Sequence, residues 1–298
     1  MRPLRTRIRE AAKQSKVPQE VIEKDYLLSY TLAGIAAVPE LAAVLAFKGG
    51  TALKKCVFGE YRFSEDLDFS GKNAPKGEVL EQSLRAALDE SKRLLSQHGP
   101  FAIEIQRYIE RDPHPGGQEA FMIRVQFPWH PQPLCRVKIE ISHDEPVMLP
   151  TRERSVRHGY EEDLAVTLGC YQLEEIVAEK MRSLLQTQQK LLRRGWTQAR
   201  ARDYYDLWRI LTQFRDDLDR SILDDLLLRK CEVRGVSFRR LDDFFAKELV
   251  SEARKHWEAT LTAFVPDLAS SNQVLTELRE LLTVFFKFAR ESSTSTSQ

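Results

Sequence analysis

The spacing of apolar residues divides the chain into two stretches of different period. Up to about residue 165, short apolar runs alternate with turns rich in glycine, proline and histidine, as is typical of strands joined by loops. From Gln172 onward apolar residues recur at helical spacing, and we expect no strand after about residue 165. The pattern predicts an α+β protein, with a mixed sheet in the first half and only helices in the second.

Helices and strands of the first half follow from the same pattern. A strand, a tight turn at Gly49-Gly50 and a short helix come in that order, and a second strand follows. The predicted helices cover residues 3 to 16, 18 to 37, 51 to 57 and 78 to 97, and the predicted strands cover 44 to 47, 66 to 70, 101 to 109, 120 to 127 and 135 to 142.

The second half is predicted to contain five helices, at residues 172 to 192, 197 to 213, 219 to 229, 239 to 263 and 272 to 290. We expect three segments along the chain. These are a sheet-containing lobe with a helical lead-in at 1 to 165, a helical lobe at 166 to 290, and a disordered, low-complexity tail at 291 to 298. Ligands favour clefts between domains, so the junction of the lobes is a candidate binding region.

Composition narrows the class of protein. The chain has 298 residues, 42% hydrophobic and 30% charged, which is typical of globular proteins, and its net charge of +1 indicates no particular partner. Its four cysteines lack the CxxC spacing of a zinc site or a disulfide framework. No apolar run approaches the roughly 18 residues of a membrane span, and the basic N-terminus lacks the apolar core of a signal peptide. We expect a cytoplasmic protein without membrane contact.

Two aspartates form the first candidate for chemistry. Asp66 and Asp68 are two apart in a predicted strand, so both side chains leave the same face, with α-carbons about 7 Å apart. Their mutual repulsion raises the pKa of the pair unless a cation neutralises it, and such hard oxygen ligands suit magnesium. Glu140 lies on the polar face of another predicted strand and is the candidate third carboxylate. Three such groups can hold two metal ions roughly 3.5 to 4 Å apart.

The Gly49-Gly50-Thr51 turn supplies the second candidate. Glycine lets the backbone approach a phosphate closely, and the N-terminus of the following helix favours an anion. Thr51 adds a hydroxyl donor. An anion cradle next to a metal-binding aspartate pair is what phosphoryl transfer needs. Taken singly, a Gly-Gly pair is often only a turn, and an Asp-x-Asp on a strand is often a solvated edge.

Charged residues of the helical half give a third set of candidates. Lys180 lies on one predicted amphipathic helix, and the next helix carries an apolar stripe with Asp203 at its edge and Asp206 further toward solvent. Asp203 is therefore the candidate for a partly buried role, with Lys180 or Arg202 as its ion partner. Lys180 could instead contact a nucleotide phosphate as a point charge. The alternative for all three is a surface ion pair without chemistry.

Two basic clusters could bind a large anionic substrate such as a nucleic acid, or could simply be solvated faces. The second contains an aromatic residue. The clusters are Arg2, Arg5, Arg7, Arg9, Lys13 and Lys16 at the N-terminus, and Lys190, Arg193, Arg194, Arg200 and Arg202 around Gly195-Trp196.

Five motifs, spread over roughly residues 20 to 210, resemble those of the AbiEii/AbiGii family of nucleotidyltransferase toxins, which includes the MenT-type toxins. They are Lys48-Gly49-Gly50-Thr51-Ala52-Leu53, Arg62-Phe63-Ser64-Glu65-Asp66-Leu67-Asp68, Val137-Lys138-Ile139-Glu140, Glu175 to Lys180, and Arg202-Asp203-Tyr204-Tyr205-Asp206-Leu207. This sequence departs from the family pattern where Thr51 replaces the serine of a Gly-Ser pair and where Glu140 replaces an aspartate.

The resemblance implies a polymerase-beta-like nucleotidyltransferase lobe joined to a helical lobe, acting as the toxin of a type IV toxin-antitoxin or phage-defence system. It implies magnesium, with manganese as the alternative ion, and transfer of a nucleoside monophosphate from an NTP to the 3′ end of tRNA, which inhibits translation. A cognate antitoxin is an expected partner. By motif, the catalytic residues are Asp66, Asp68, Glu140, Lys180 and Asp203, the first three hold metal, and Lys48, Gly49, Gly50, Thr51 and Lys180 bind the nucleotide.

Two other functions stay open from the sequence. One is transfer of a nucleoside monophosphate or phosphate to a protein or a small molecule. The other is a catalytically silent protein that keeps the fold and the nucleotide pocket. The complete carboxylate set favours an enzyme over a silent protein.

Overall fold

The computed structural model describes residues 2–109, 117–195 and 199–288. The chain is an α+β protein and divides into two compact units. One comprises Met1–Gln172 with Ala263–Asp267, and the other comprises Leu173–Thr262 with Leu268–Gln298. The segment Ala263–Asp267 falls at the connection between the predicted helices at 239 to 263 and 272 to 290, and the apolar pattern gives no signal that this connection belongs to the first unit.

A seven-stranded mixed sheet forms the centre of the first unit within the described residues. Its order is β3-β4-β5-β2-β1-β7-β6. The β2–β5 and β1–β7 pairs are parallel, and the other neighbours are antiparallel. The strands are β1 (Leu45–Lys48), β2 (Asp66–Gly71), β3 (Ala102–Tyr108), β4 (Gln118–Gln126), β5 (Cys135–Ser142), β6 (Arg152–Ser155) and β7 (Thr167–Cys170).

The first unit also contains the helices α1 (Leu4–Ser15), α2 (Gln19–Ala36), the single turn α3 (Pro39–Ala42), α4 (Gly49–Ala52) and α5 (Gly77–Leu95). The two longest, α2 and α5, pack on one face of the sheet. Apolar residues of the central strands, such as Phe47, Phe69 and Ile139, join residues of α2 and α5 in one buried core. In β2 and β5 the alternating residues, such as Asp68 and Glu140, are polar and point to the opposite face. This two-faced pattern fixes the strand register, because a shift by one residue would bury the polar set.

The prediction of no strand after about residue 165 is wrong, since β7 spans Thr167–Cys170. Both β6 and β7 are only four residues long, and neither shows alternating hydrophobicity. They pair with each other, and β7 also pairs with β1 through Phe47 and Cys170. Backbone hydrogen bonds to neighbours that are distant in sequence define these strands, and the residue pattern does not encode such partners.

Helices make up the second unit in the described residues. They are α6 (Leu173–Arg194), α7 (Ala201–Gln213), α8 (Arg220–Val233), α9 (Lys247–Lys255), α10 (Trp257–Leu261) and α11 (Ser271–Phe285). The predicted single helix at 239 to 263 is wrong, because a 3-10 turn at Leu241–Phe245 precedes α9 and α10. The buried Tyr204 hydroxyl donates to the Phe244 carbonyl oxygen at 2.6 Å, so that this carbonyl is bonded outside its own helix. The tail at 291 to 298 lies outside the described residues.

Candidate active site

A row of charged residues crosses three strands on the polar face of the sheet. Asp68 of β2 lies opposite Lys48 of β1 on one side and opposite Glu140 of β5 on the other. Directly opposed residues share a face, so these three side chains are neighbours. Asp66, two positions before Asp68, lies on the same face and is opposite Lys138. The structure thus brings the three predicted carboxylates onto two adjacent strands.

Asp68 sits in an unfavourable position for a negative charge. Burial, together with the neighbouring charges of Glu140 and Asp66, raises its pKa to about 8, and Lys48 offsets part of the effect. Two carboxylates that repel each other in a half-buried site stay ionised when a cation binds to them. The site therefore fits a divalent cation in the chemistry of its donors.

Glu140 has a side chain already bound by the protein. Its Oε1 accepts a hydrogen bond from Gln118 Nε2 at 2.6 Å and an ion pair from the Lys138 ammonium. Across residues 2–109, 117–195 and 199–288, no three His, Cys, Asp or Glu side chains are grouped closely enough to hold a metal ion as they stand. Lys138 supplies the positive charge beside Glu140, so Glu140 must exchange this partner before it can serve as a third ligand.

The Gly49-Gly50 turn contacts the carboxylates directly. Gly49 has φ +76°, and a Cβ there would lie 2.2 Å from Asp68 Oδ2. A Cβ on Gly50 would lie 2.6 Å from a terminal guanidinium nitrogen of Arg62. A Cβ at either position would displace the Asp68 carboxylate or this arginine, so the turn fits glycine at both positions. Helix α4 begins at this turn and continues as a π-helical turn, Leu53–Val57.

Thr51 differs from the expectation that its hydroxyl would face the nucleotide. The residue is completely buried, and its hydroxyl donates to the main-chain carbonyl oxygen of Asp66. Thr51 therefore ties the start of α4 to the start of β2, and it holds the glycine turn next to the aspartate pair. A helical segment after a turn leaves several orientations open to a threonine, so the sequence could not settle this one.

Arg62 and Ser64 belong to the motif that contains the aspartate pair, and the sequence alone assigns them no role. Arg62 is buried, and both side chains lie close to Gly50, with Ser64 Oγ 3.1 Å from the position of a Cβ there. The segment is held in place by a hydrogen bond from the Phe63 amide to the Phe264 carbonyl oxygen, 3.1 Å long. The sequence signal that could have identified them is their position, because both lie just before Asp66 in a segment without helical or strand periodicity.

In the helical unit, Lys180 of α6 pairs with two aspartates of α7. Its Nζ lies 2.8 Å from Asp203 Oδ1 and 2.7 Å from Asp206 Oδ2. Asp206 is fully buried, whereas Asp203 keeps 13% of its side chain exposed, so the placement of Asp206 further toward solvent is wrong. Burial opposes ionisation of Asp203, but Lys180 and Arg200 outweigh it and hold the Asp203 pKa below its ordinary value.

The two basic clusters are only partly available to a ligand. Arg7 is buried against Glu162, and Arg2 pairs with Glu10 and Glu161 at the surface. Arg200 donates to Thr187 and Asp203, and Trp196 lies outside the described residues. The other exposed members are Arg5, Arg9, Lys13 and Lys16 in the first cluster and Lys190, Arg193 and Arg194 in the second.

None of the helices in the described part of the chain combines the length and the apolar content required to cross a bilayer.

Paired strand aspartates beside a glycine turn, on a mixed sheet followed by helices, define the chain as a nucleotidyltransferase. The chain belongs to the AbiEii family, because residues 31–284 match the model of the nucleotidyl transferase AbiEii toxin of type IV toxin-antitoxin systems.

Among solved structures, the fold is similar to that of MenT4, a nucleotidyltransferase toxin from Mycobacterium tuberculosis H37Rv. The TM-score is 0.51 at 21% identity, over 90% of this chain and 94% of MenT4. No curated protein sequence matches the chain. Family membership makes an NTP the expected substrate and an antitoxin the expected partner.

Proposed function

We propose that this toxin transfers a nucleoside monophosphate from an NTP to the 3′ end of an RNA acceptor, most specifically tRNA, and so inhibits translation. The observation that carries the proposal is the row in which Asp68 lies between Glu140 and Lys48, with Gly49 packed against its carboxylate. Such a row joins a cation site to an anion site, and phosphoryl transfer depends on both.

Each residue of the row has a separate task in the proposed reaction. Asp66 and Asp68 hold magnesium, or manganese in its place, and Glu140 completes the set when Lys138 releases it. A metal held by these residues would lower the pKa of the attacking hydroxyl and neutralise the pyrophosphate leaving group. The backbone of Gly49-Gly50 and the ammonium of Lys48 bind the triphosphate. The acceptor oxygen bonds to the α-phosphorus as the bond to pyrophosphate breaks.

Lys180 and Asp203 are included in the proposed machinery on the strength of the family motifs. Lys180 offers a point charge to a phosphate. Asp203 acts as a positioning residue, since its carboxylate holds the Lys180 ammonium at 2.8 Å. Thr51 is proposed to act by holding the turn, through its bond to the Asp66 carbonyl. A cytoplasmic location and a role in phage defence are part of the same proposal.

The decisive experiment incubates the full chain with each labelled NTP, magnesium and total tRNA. We expect label from one or more NTPs to enter RNA with the wild type, and none to enter with Asp68→Ala. Asp89→Ala is the matched control, because Asp89 is an exposed aspartate on α5 and should transfer label as the wild type does.

Three other outcomes contradict the proposal. Label in protein or in a small molecule would assign a different acceptor, and absence of label with every NTP would indicate a silent nucleotide-binding protein. Equal activity of Asp68→Ala and the wild type would exclude the carboxylate row as the site.

A further inference from the structure

The polar face of the sheet continues past the carboxylates onto β4 and β3. Residues in register across β3, β4 and β5 share this face, and many of them are exposed. We call Tyr108, Met122, Arg124, Arg136 and Lys138 the acceptor face. In register, Tyr108 and Ala120 extend the row of Glu140 and Asp68, while Gln106, Met122 and Lys138 extend the row of Asp66.

Two arginines of this face lie directly opposite each other. Arg124 of β4 and Arg136 of β5 are paired in register and both are exposed. Glu104 of β3 is opposite Arg124, yet no ion pair joins either arginine to a carboxylate in the described ranges. Like charges directly opposed destabilise a sheet unless an anion lies between them. Guanidinium groups bind phosphate through paired hydrogen bonds, so a phosphate group suits this position.

An aromatic ring lies beside the carboxylate row on the same face. Tyr108 belongs to the edge strand β3 and is 44% exposed. The Lys138 ammonium lies 4.8 Å from the Tyr108 ring centroid and also contacts Glu140. An exposed ring with an adjacent cation is a stacking platform for a nucleobase. Two strand spacings, about 10 Å, separate Tyr108 from Glu140.

The position of the acceptor face relative to the glycine turn indicates which substrate it would bind. Gly49 adjoins Asp68 at the β1 side, whereas the acceptor face lies on the β5, β4 and β3 side of the same carboxylates. If the triphosphate occupies the turn, the attacking hydroxyl has to approach from the other side. Arg136 is four residues from Glu140 along β5, or about 13 Å, which is within reach of phosphates a few nucleotides from a strand end.

We propose that the acceptor face binds the last nucleotides of a single-stranded RNA 3′ end. Tyr108 stacks on a base, and Arg124 with Arg136 binds a backbone phosphate, so that the terminal hydroxyl reaches the carboxylate row. The role as an acceptor site rests on the proposed function, but RNA binding by this face can be measured without any nucleotide transfer.

The test measures binding of a short 5′-fluorescein-labelled single-stranded RNA to the full chain by anisotropy, without NTP, over a range of salt. We expect the double variant Arg124→Glu/Arg136→Glu to bind at least about tenfold more weakly. Its salt slope should fall by about 0.7, the loss of one neutralised phosphate on a single strand. Lys92→Glu/Arg93→Glu is the matched control, since both residues are exposed on α5, which packs on the opposite face, and its affinity should equal that of the wild type.

A second pair of variants tests the ring. Tyr108→Ala should weaken RNA binding about tenfold, within the range for loss of one stacked base, whereas Tyr108→Phe should bind as the wild type because it keeps the ring. Wild-type affinity in Tyr108→Ala or in the double arginine variant would overturn the inference, even if label enters RNA in the transfer assay. Absence of wild-type RNA binding, or label entering a protein, would also overturn it. Loss of RNA binding in the variants, with no label transfer by the wild type, would support RNA binding by this face and refute the proposed function.

Discussion

Both units of the chain bring carboxylates together. In the sheet unit the carboxylates repel each other, whereas in the helical unit a lysine neutralises them. In the sheet unit, Asp68 has two acidic neighbours and a pKa raised to about 8. In the helical unit, Lys180 lies between Asp203 and Asp206, and the Asp203 pKa is lowered. A cluster that is left repulsive in the folded protein is prepared for a cation, whereas a neutralised cluster holds helices together.

The comparison predicts opposite effects of substitution on stability. The largest effect is expected for Lys180→Met, which leaves Asp203 and the buried Asp206 without their cation and should lower the free energy of unfolding by about 3–5 kcal/mol. Urea denaturation measures the change. Lys190→Met on the same helix is the control, because Lys190 is exposed and its loss should change stability little. Equal values for the two variants would mean that the network contributes no more than a surface pair.

The next effect concerns the turn that supports Asp68. Gly49 and Gly159 have nearly the same φ, +76° and +74°, but only at Gly49 would a Cβ meet another group, Asp68 Oδ2. Gly159→Ala should therefore cost about 1 kcal/mol from backbone strain, and Gly49→Ala about 3 kcal/mol with loss of nucleotide transfer. Thermal unfolding and the transfer assay check both. Equal losses of stability in the two variants would show that the contact with Asp68 makes no contribution.

Acid should weaken the helical unit through Asp203. Its pKa is below the ordinary 3.8 in the folded chain, so the folded state holds this proton less tightly than the unfolded state. The stabilisation is complete above about pH 4 and is lost as the pH falls through the lower folded value. Urea denaturation at a series of pH values should show a shallower acid loss in Asp203→Asn than in the wild type. An unchanged slope would assign the acid sensitivity to other groups.

The smallest change in stability is expected at the carboxylate row of the sheet. Asp68→Asn removes a charge that Glu140 and Asp66 oppose, so the melting temperature should stay the same or rise slightly. Transfer activity should nevertheless fall about 1000-fold, equivalent to the several kcal/mol that a metal contributes. A clear loss of stability in Asp68→Asn would remove the contrast between the two units.

The alternating pattern of β2 and β5 was enough to predict which residues share the polar face. Asp66, Asp68 and Glu140 could be grouped because a strand turns every second residue to one side. The register could not be predicted, and it is register that places Lys138 opposite Asp66 and Glu140 opposite Asp68. Lys138 and Glu140 are two apart on β5 and share a face by the pattern alone, but the ion pair between them is a matter of side-chain conformation, which the pattern does not give.

Burial in the helical half was predicted less well, and for a physical reason. An apolar stripe identifies one buried face, but α7 packs against α6, α10 and α11. Asp206 lies off the stripe and is nevertheless fully buried, because Lys180 of α6 pairs with it. A helix covered on several sides buries polar residues wherever a partner of opposite charge is available. The apolar pattern of one helix gives no information about a charged partner on another helix.

Ala263–Asp267 belongs to the first unit, and this changes how the effects of truncations and substitutions along the chain should be interpreted. Through Phe264, a peptide that lies between α10 and α11 supports Phe63, the residue next to Arg62 and three positions before Asp66. Truncation after Gln172 would therefore remove a support of the aspartate strand, although Asp66, Asp68 and Glu140 are retained. Variants near Phe264 belong with active-site variants when phenotypes are sorted by position.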